Sequence, residues 1–278
     1  MESSLSRFDA IFARARAERR GALIPYLTAG DPTPAASLGA AQALAAAGAD
    51  IVELGIPFSD PLADGPVIQR ASERALAQGM TLEGVLAMAA QLRRAAPALG
   101  ILLFGYFNPI LRYGLPRFAE AAARAGADGV LVTDLIPEEA QEYCAALAAR
   151  GLDPVFLAAP TSPDARLERI AAAGRGFLYA VSRTGVTGAR RQVPESARQL
   201  VARLRRHTAL PLALGFGIAS PEQVREAAGF ADGVVVGTAM VERMHAASLE
   251  RGPEAAAPAA AALLAELRAG LSFAAPRG

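Results

Sequence analysis

The sequence predicts a closed (β/α)8 barrel, on three observations. First, one unit recurs: an alanine-rich helical run ends in Gly, an Asp or Gly follows, and a short β-branched run comes next. It reads AAAGADIVELG, ARAGADGVLVTD, AARGLDPVFLA, AAAGRGFLYAV and AAGFADGVVVG. Gly just past a helix is the usual left-handed cap, and continuous apolar runs suit parallel strands covered on both faces. Second, eight such strands alternate with helical segments. Third, no G-x-G-x-x-G follows the first strand, which weakens the open dinucleotide-binding sheet that shares this local pattern.

Taken in order, an amphipathic helix at 5–19 precedes strand one, ALIPYLT (22–28). Strand two is IVEL (51–54), and an extra helical stretch, LEGVLAMAAQLRRAA (82–96), separates it from strand three, GILLFGY (100–106). GVLVTD (129–134), PVFLAA (154–159), GFLYAV (176–181), PLALGF (211–216) and GVVVG (233–237) complete the count. A last helix is expected at 253–271, and the final SFAAPRG is expected to fray. No linker rich enough to divide the chain is present, so residues 1–278 are expected to form a single barrel domain.

Composition narrows the function. The chain is 53% hydrophobic and 20% charged with a net charge of +1, which suits a large core and provides no basic field for nucleic acid. All 28 cationic residues are arginine, so a lysine Schiff base with a carbonyl substrate or with pyridoxal phosphate is excluded. Cys144 lies in an alanine-rich helical run and reads as a packed small residue, and one cysteine permits no internal disulfide. His207 and His245 lie in late helices and do not resemble ligands, so a metal site is not expected. The amphipathic, acid-containing start and the lack of a long apolar run point to a cytoplasmic protein without a membrane role.

The chemistry of a βα barrel comes from the C-terminal ends of its strands and the loops that follow. Glu53 ends strand two, and strand alternation puts it with Ile51, facing the barrel interior. The loop GIPFSDPLADGP is long for a βα connection and carries Asp60 and Asp64, the latter near the start of the next helix. Two carboxyls at one mouth can divide acid and base work, one neutral in an apolar pocket and one held ionised. Turn or helix capping is the bland alternative for the aspartates, and a buried ion pair for Glu53. GFGIAS (215–220) and GTAM (237–240) follow strands seven and eight, the recurrent phosphate position of barrels. There small residues let backbone N–H groups approach an anion, and a helix start adds favourable dipole. SRTGVTGARRQVP (182–194) reads as a lid over the mouth.

These residues carry a resemblance. LTAGDPTP, VELGIPFSDPLADGPVIQRA, GYFNPI, VTDLIPEE, SRTGVTGA, GFGI and VVGTAMV resemble, in order and over nearly the whole chain, the tryptophan synthase alpha subunit family. The resemblance implies a lyase of tryptophan biosynthesis that splits indole-3-glycerol phosphate into indole and glyceraldehyde 3-phosphate by retro-aldol cleavage. It further implies docking to a beta subunit that holds pyridoxal phosphate, in an alpha2beta2 assembly, with no cofactor in this chain. Position by position, it implies that Glu53 is the acid/base acting at the indole carbon of the broken bond and that Asp64 holds the indole N–H. Phosphate contacts fall on Gly188, Gly217, Gly237 and Thr238, the last where serine is common in relatives. Substrate contacts fall on Tyr26, Phe104, Tyr106, Tyr179, Thr187 and Phe216, with Thr187 meeting Asp64 when the lid closes. Asp60 falls in the loop that communicates with the partner. An independent lyase and a non-catalytic regulatory partner are the alternatives, and a phosphate-binding isomerase using both carboxyls is a further rival. Retention of both Glu53 and Asp64 argues against the regulatory reading, and the intact ELGIPFSDPLADGP against the isomerase.

Overall fold

Side-chain caps start the helices where the sequence offers them. In the computed structural model, which describes residues 6–181, 192–215 and 217–271, Ser6 forms a reciprocal capping box with Asp9 at α1 (Arg7–Ala17). Thr33 caps α2 (Pro34–Ala46) and Thr81 caps α4 (Leu82–Ala95), while proline stands at the first turn of α3 (Pro66–Ala77). The predicted extra helix between strands two and three is therefore α4, with α3 ahead of it.

The eight strands are all parallel and close into a barrel in sequence order. They are β1 (Ala22–Thr28), β2 (Ile51–Gly55), β3 (Gly100–Gly105), β4 (Gly129–Val132), β5 (Asp153–Ala158), β6 (Leu178–Val181), β7 (Leu212–Gly215) and β8 (Gly233–Val236). β1 pairs with β8 to shut the ring. Two strands are shorter than expected by two residues at one end, for local reasons. β4 ends at Val132: Thr133 still donates its N–H to the Gly105 carbonyl at 2.9 Å, with its Oγ1 on the same oxygen, and the chain then turns away, Asp134 Oδ1 accepting from Phe107 N–H. β6 begins at Leu178 because Gly176 takes a positive φ of 67°, outside the strand region.

The helices outside the ring are, after β3, α5 (Phe107–Tyr113) and α6 (Leu115–Arg124), then α7 (Gln141–Ala148), α8 (Asp164–Ala173), α9 (Glu195–Arg205), α10 (Pro221–Ala228), α11 (Thr238–Arg251) and α12 (Ala256–Leu271). The sequence reading did not separate α5, whose start is the aromatic GYFNPI segment. Cys144 is half-buried on α7, as its packed role requires.

Alternation divides the apolar residues into two layers. Val52, Leu54, Leu103, Val130 and Val234 face the helices. Ile24, Ile51, Leu102, Leu131, Val155 and Val235 fill the barrel, and Phe8 and Phe12 of α1 plug its base against Phe177. Around that base, three aspartates that immediately precede strands reach across to the neighbouring strand. Asp50 accepts from Leu23 N–H at 2.9 Å, Asp128 from Ile101 N–H at 2.8 Å and Asp232 from Leu212 N–H at 2.9 Å. Arginines neutralise each buried carboxylate: Arg20 on Asp50, Arg93 and Arg7 on Asp128, and Arg205 on Asp232. These three aspartates are thus compensated at the base, where Asp153 at the start of β5 is the exception: its buried Oδ2 has no hydrogen-bond partner among the described residues.

Candidate active site

Glu53 lies at the C-terminal end of β2, in register with Tyr26 of β1 and Leu102 of β3. Strand parity turns it into the barrel with Ile51, as the sequence predicted. It is 1% exposed, and its Oε1 has no hydrogen-bond partner among the described residues. Burial in this apolar setting pushes its carboxyl up to about 8, so it is mainly a neutral acid at pH 7. The buried ion pair considered as an alternative is not formed, because no ion pair within 4 Å engages Glu53 among the described residues.

Asp64 arrives from the loop between β2 and α3 and is half-buried. Burial raises its carboxyl to about 6, with the Tyr106 hydroxyl pulling the other way, so it is mainly ionised at pH 7. Two fastenings hold this loop. Tyr106 accepts the Ala63 N–H at 3.0 Å while its ring packs on Phe58 at 5.2 Å, and Gln69 of α3 donates to the Asp64 carbonyl at 2.9 Å. Asp60, in the same loop, is exposed and accepts only from Ser59 Oγ among the described side chains. Next to it, Leu62 is 92% exposed.

Tyr26, Phe104 and Tyr179 share the interior layer with these acids. Tyr26 and Phe104 meet edge to face at 5.4 Å. Burial first, and then the nearby carboxyls of Glu53 and Asp64, hold both Tyr26 and Tyr179 well above the usual phenol range. The aromatic wall depends on two glycines to which the sequence assigned no packing role, Gly215 having been read only as the start of the phosphate segment GFGIAS. A methyl group on Gly55 would overlap the Tyr26 hydroxyl and fall 2.6 Å from Cζ, and one on Gly215 would do the same to Tyr179. Gly55→Ala is therefore expected to displace the Tyr26 ring, raise KM several-fold and cost about 1–3 kcal/mol of stability. Steady-state kinetics and urea unfolding check it, and wild-type values in both would refute the packing argument.

Further round the rim, Gly217 follows β7 with φ of 83°, a left-handed conformation that favours glycine. Gly237 precedes α11, which opens with Thr238 and has no side-chain cap on its first N–H groups. Since β7 and β8 are paired, these two loops are neighbours at the same rim as Glu53. Thr187, Gly188 and Phe216 lie outside the described residues. No group of three or more His, Cys, Asp or Glu side chains suited to a metal ion occurs among the described residues. Nor is any helix among them long and apolar enough to cross a membrane.

An aromatic-walled barrel mouth holding one neutral and one ionised carboxyl defines an acid–base enzyme on a (β/α)8 scaffold. The family model described as "Tryptophan synthase alpha chain" matches residues 12–270. The chain belongs to the tryptophan synthase alpha chain family. It is 52% identical over 237 residues to the tryptophan synthase alpha chain of Roseiflexus sp. (strain RS-1), covering 85% of this chain and 91% of that one. With that of Methylococcus capsulatus it shares 48% over 267 residues, covering 96% and 99%. Among solved structures, a Mycobacterium tuberculosis tryptophan synthase chain superposes with TM-score 0.88 at 41% identity, over 96% of this chain and 99% of that one. The alpha subunit from Legionella pneumophila str. Paris gives 0.87 at 37%, over 97% and 99%.

Proposed function

We propose that this single-domain chain cleaves indole-3-glycerol phosphate to indole and glyceraldehyde 3-phosphate and delivers the indole to a beta subunit. The observation that carries the reading is the split in acidity between Glu53 and Asp64 across one aromatic-walled space. Neutral Glu53 gives its proton to the indole carbon that bears the glycerol chain. The ring becomes a cation whose charge reaches the N–H, where the Asp64 carboxylate stabilises it as it develops. The carboxylate left on Glu53 then takes the proton of the adjacent hydroxyl. The carbon–carbon bond breaks, its electron pair returns to the ring, and the aldehyde forms. Protons and electrons balance without a Schiff base, in keeping with a chain that has no lysine.

Tyr26, Phe104, Tyr106 and Tyr179 line the indole side, with Phe216 and Thr187 as further contacts. Gly217, Gly237, Thr238 and Gly188 receive the phosphate. The pyridoxal phosphate of the complete reaction belongs to the beta partner, in an alpha2beta2 assembly in the cytoplasm. Exposure of Asp60 and Leu62 beside Asp64 supports the assignment of that loop to communication with the partner. Indole release from indole-3-glycerol phosphate, measured with and without a beta subunit, tests the whole reading. Slow release that the partner accelerates supports it. Rapid release alone would favour an independent lyase, and no release under either condition would leave a regulatory role.

A further inference from the structure

Gln223 stands on the first turn of α10, behind the loop that follows β7, and is 5% exposed. A buried amide is retained only if its polar atoms are bonded. Its Oε1 accepts the Ala219 N–H at 2.8 Å and its Nε2 donates to the Gly217 carbonyl at 3.3 Å. One side chain therefore grips both ends of the turn 217–219. Ser220 Oγ accepts the Gln223 N–H, which ties the grip to the helix cap.

The geometry has a directional result. A peptide unit is planar and trans, so its C=O and N–H point opposite ways. With the Gly217 carbonyl drawn toward α10, the Ile218 N–H of the same peptide is turned away from the helix. The Ala219 N–H, drawn to Oε1, is in turn withdrawn from any ligand. Gly217 can enter this turn because its φ is positive. The Ile218 side chain is buried in the helix-facing core, which leaves the backbone as the part of this residue able to meet a ligand.

We infer that Gln223 is a positioning residue for phosphate recognition: it sets the turn so that backbone N–H donors, that of Ile218 among them, are presented to the phosphoryl oxygens. The inference rests on assigning the loops after β7 and β8 to the phosphate. Gln223 does not touch the reacting atoms in this reading. It acts through Gly217 and Ala219, so its loss should be felt by the phosphate and not by the indole.

The test compares the full-length wild-type chain with Gln223→Met, which keeps the volume and removes both bonds. Inorganic phosphate affinity is measured by calorimetry, and kcat and KM are measured for indole-3-glycerol phosphate and for unphosphorylated indole-3-glycerol. The expected result is about tenfold weaker phosphate binding and a similar rise in KM for the phosphorylated substrate, with kcat/KM for the unphosphorylated one within about twofold of wild type. Gln223→Glu keeps the acceptor for Ala219 N–H but loses the donor to Gly217. It should also weaken phosphate binding, at least about threefold, and it decides the matter if the methionine variant does not fold. Wild-type phosphate affinity in a folded variant would overturn the inference. So would parallel loss of both substrates, which marks a merely structural role. If the wild-type chain neither binds phosphate nor prefers the phosphorylated substrate, the phosphate assignment itself fails and the inference falls with it.

Discussion

Glu53→Gln is expected to abolish lyase turnover while making the protein more stable above pH 7. Loss of a positioned general acid lowers rates by about 10² to 10⁴-fold, and Glu53 is assigned both the proton donation and the later proton abstraction. A fall of about 10³-fold or more in kcat is the expected outcome. Stability moves the other way. Between the ordinary glutamate value of 4.5 and the folded value of about 8, the unfolded chain ionises Glu53 while the folded chain keeps it protonated. Each pH unit in that window therefore favours unfolding by about 1.4 kcal/mol, and on the order of 4 kcal/mol accumulates by pH 8. Below pH 4 the term vanishes, and above pH 8 it is constant. Glutamine does not titrate, so the variant should gain on the wild type as pH rises from 5 to 8. Urea unfolding at both pH values, beside indole-release assays, reads the two effects separately. Wild-type turnover would remove Glu53 from the chemistry, and a pH-independent stability difference would remove the raised acidity constant.

Asp64→Asn is expected to lower kcat/KM by about 10²-fold, within the range for losing one electrostatic contact to a charge that develops in the transition state. It should also change the shape of the pH profile. In the wild type, activity needs Glu53 protonated and Asp64 ionised. The profile of kcat/KM should fall below about pH 6 as Asp64 takes up a proton, and above about pH 8 as Glu53 loses one. Asparagine removes the group responsible for the acidic limb and leaves the alkaline limb in place. An acidic limb that persists unchanged would assign that titration to another group.

The barrel was legible because its signals are local. Each helix, glycine cap and β-branched strand is written within about ten consecutive residues, and the interior placement of Glu53 follows from strand parity alone. The resemblance then supplied roles that parity cannot, for Asp64 above all, since no period governs a loop. What stayed hidden depends on contacts between segments far apart in sequence. Gly55 reads as an ordinary strand end until the Tyr26 ring is seen lying across it. Gln69 and Gln223 read as polar residues in a first helical turn, yet each reaches back to the loop before its helix. Both glutamines follow a Pro at the helix start, a signal that could have directed attention to them. The helix α5 was missed because its seven residues are too few to display a period.

The aspartates at the barrel base also bear on the order in which the chain folds. Each joins two successive strands: β1 with β2, β3 with β4, and β7 with β8, across only 27, 27 and 20 residues. Loops of that length close at modest entropic cost, so each strand pair can form its fastening before the ring exists. Among the described residues, the pair β5 and β6 has no such side-chain fastening at the corresponding place, where Arg175 N–H donates to the Pro154 carbonyl. Three pairs should therefore gain amide protection early in pulse-labelled refolding, with β5, β6 and the β1–β8 seam following; simultaneous protection of all eight strands would contradict this order. On this account the barrel is assembled from prefastened quarters, and the last quarter takes its shape from its neighbours.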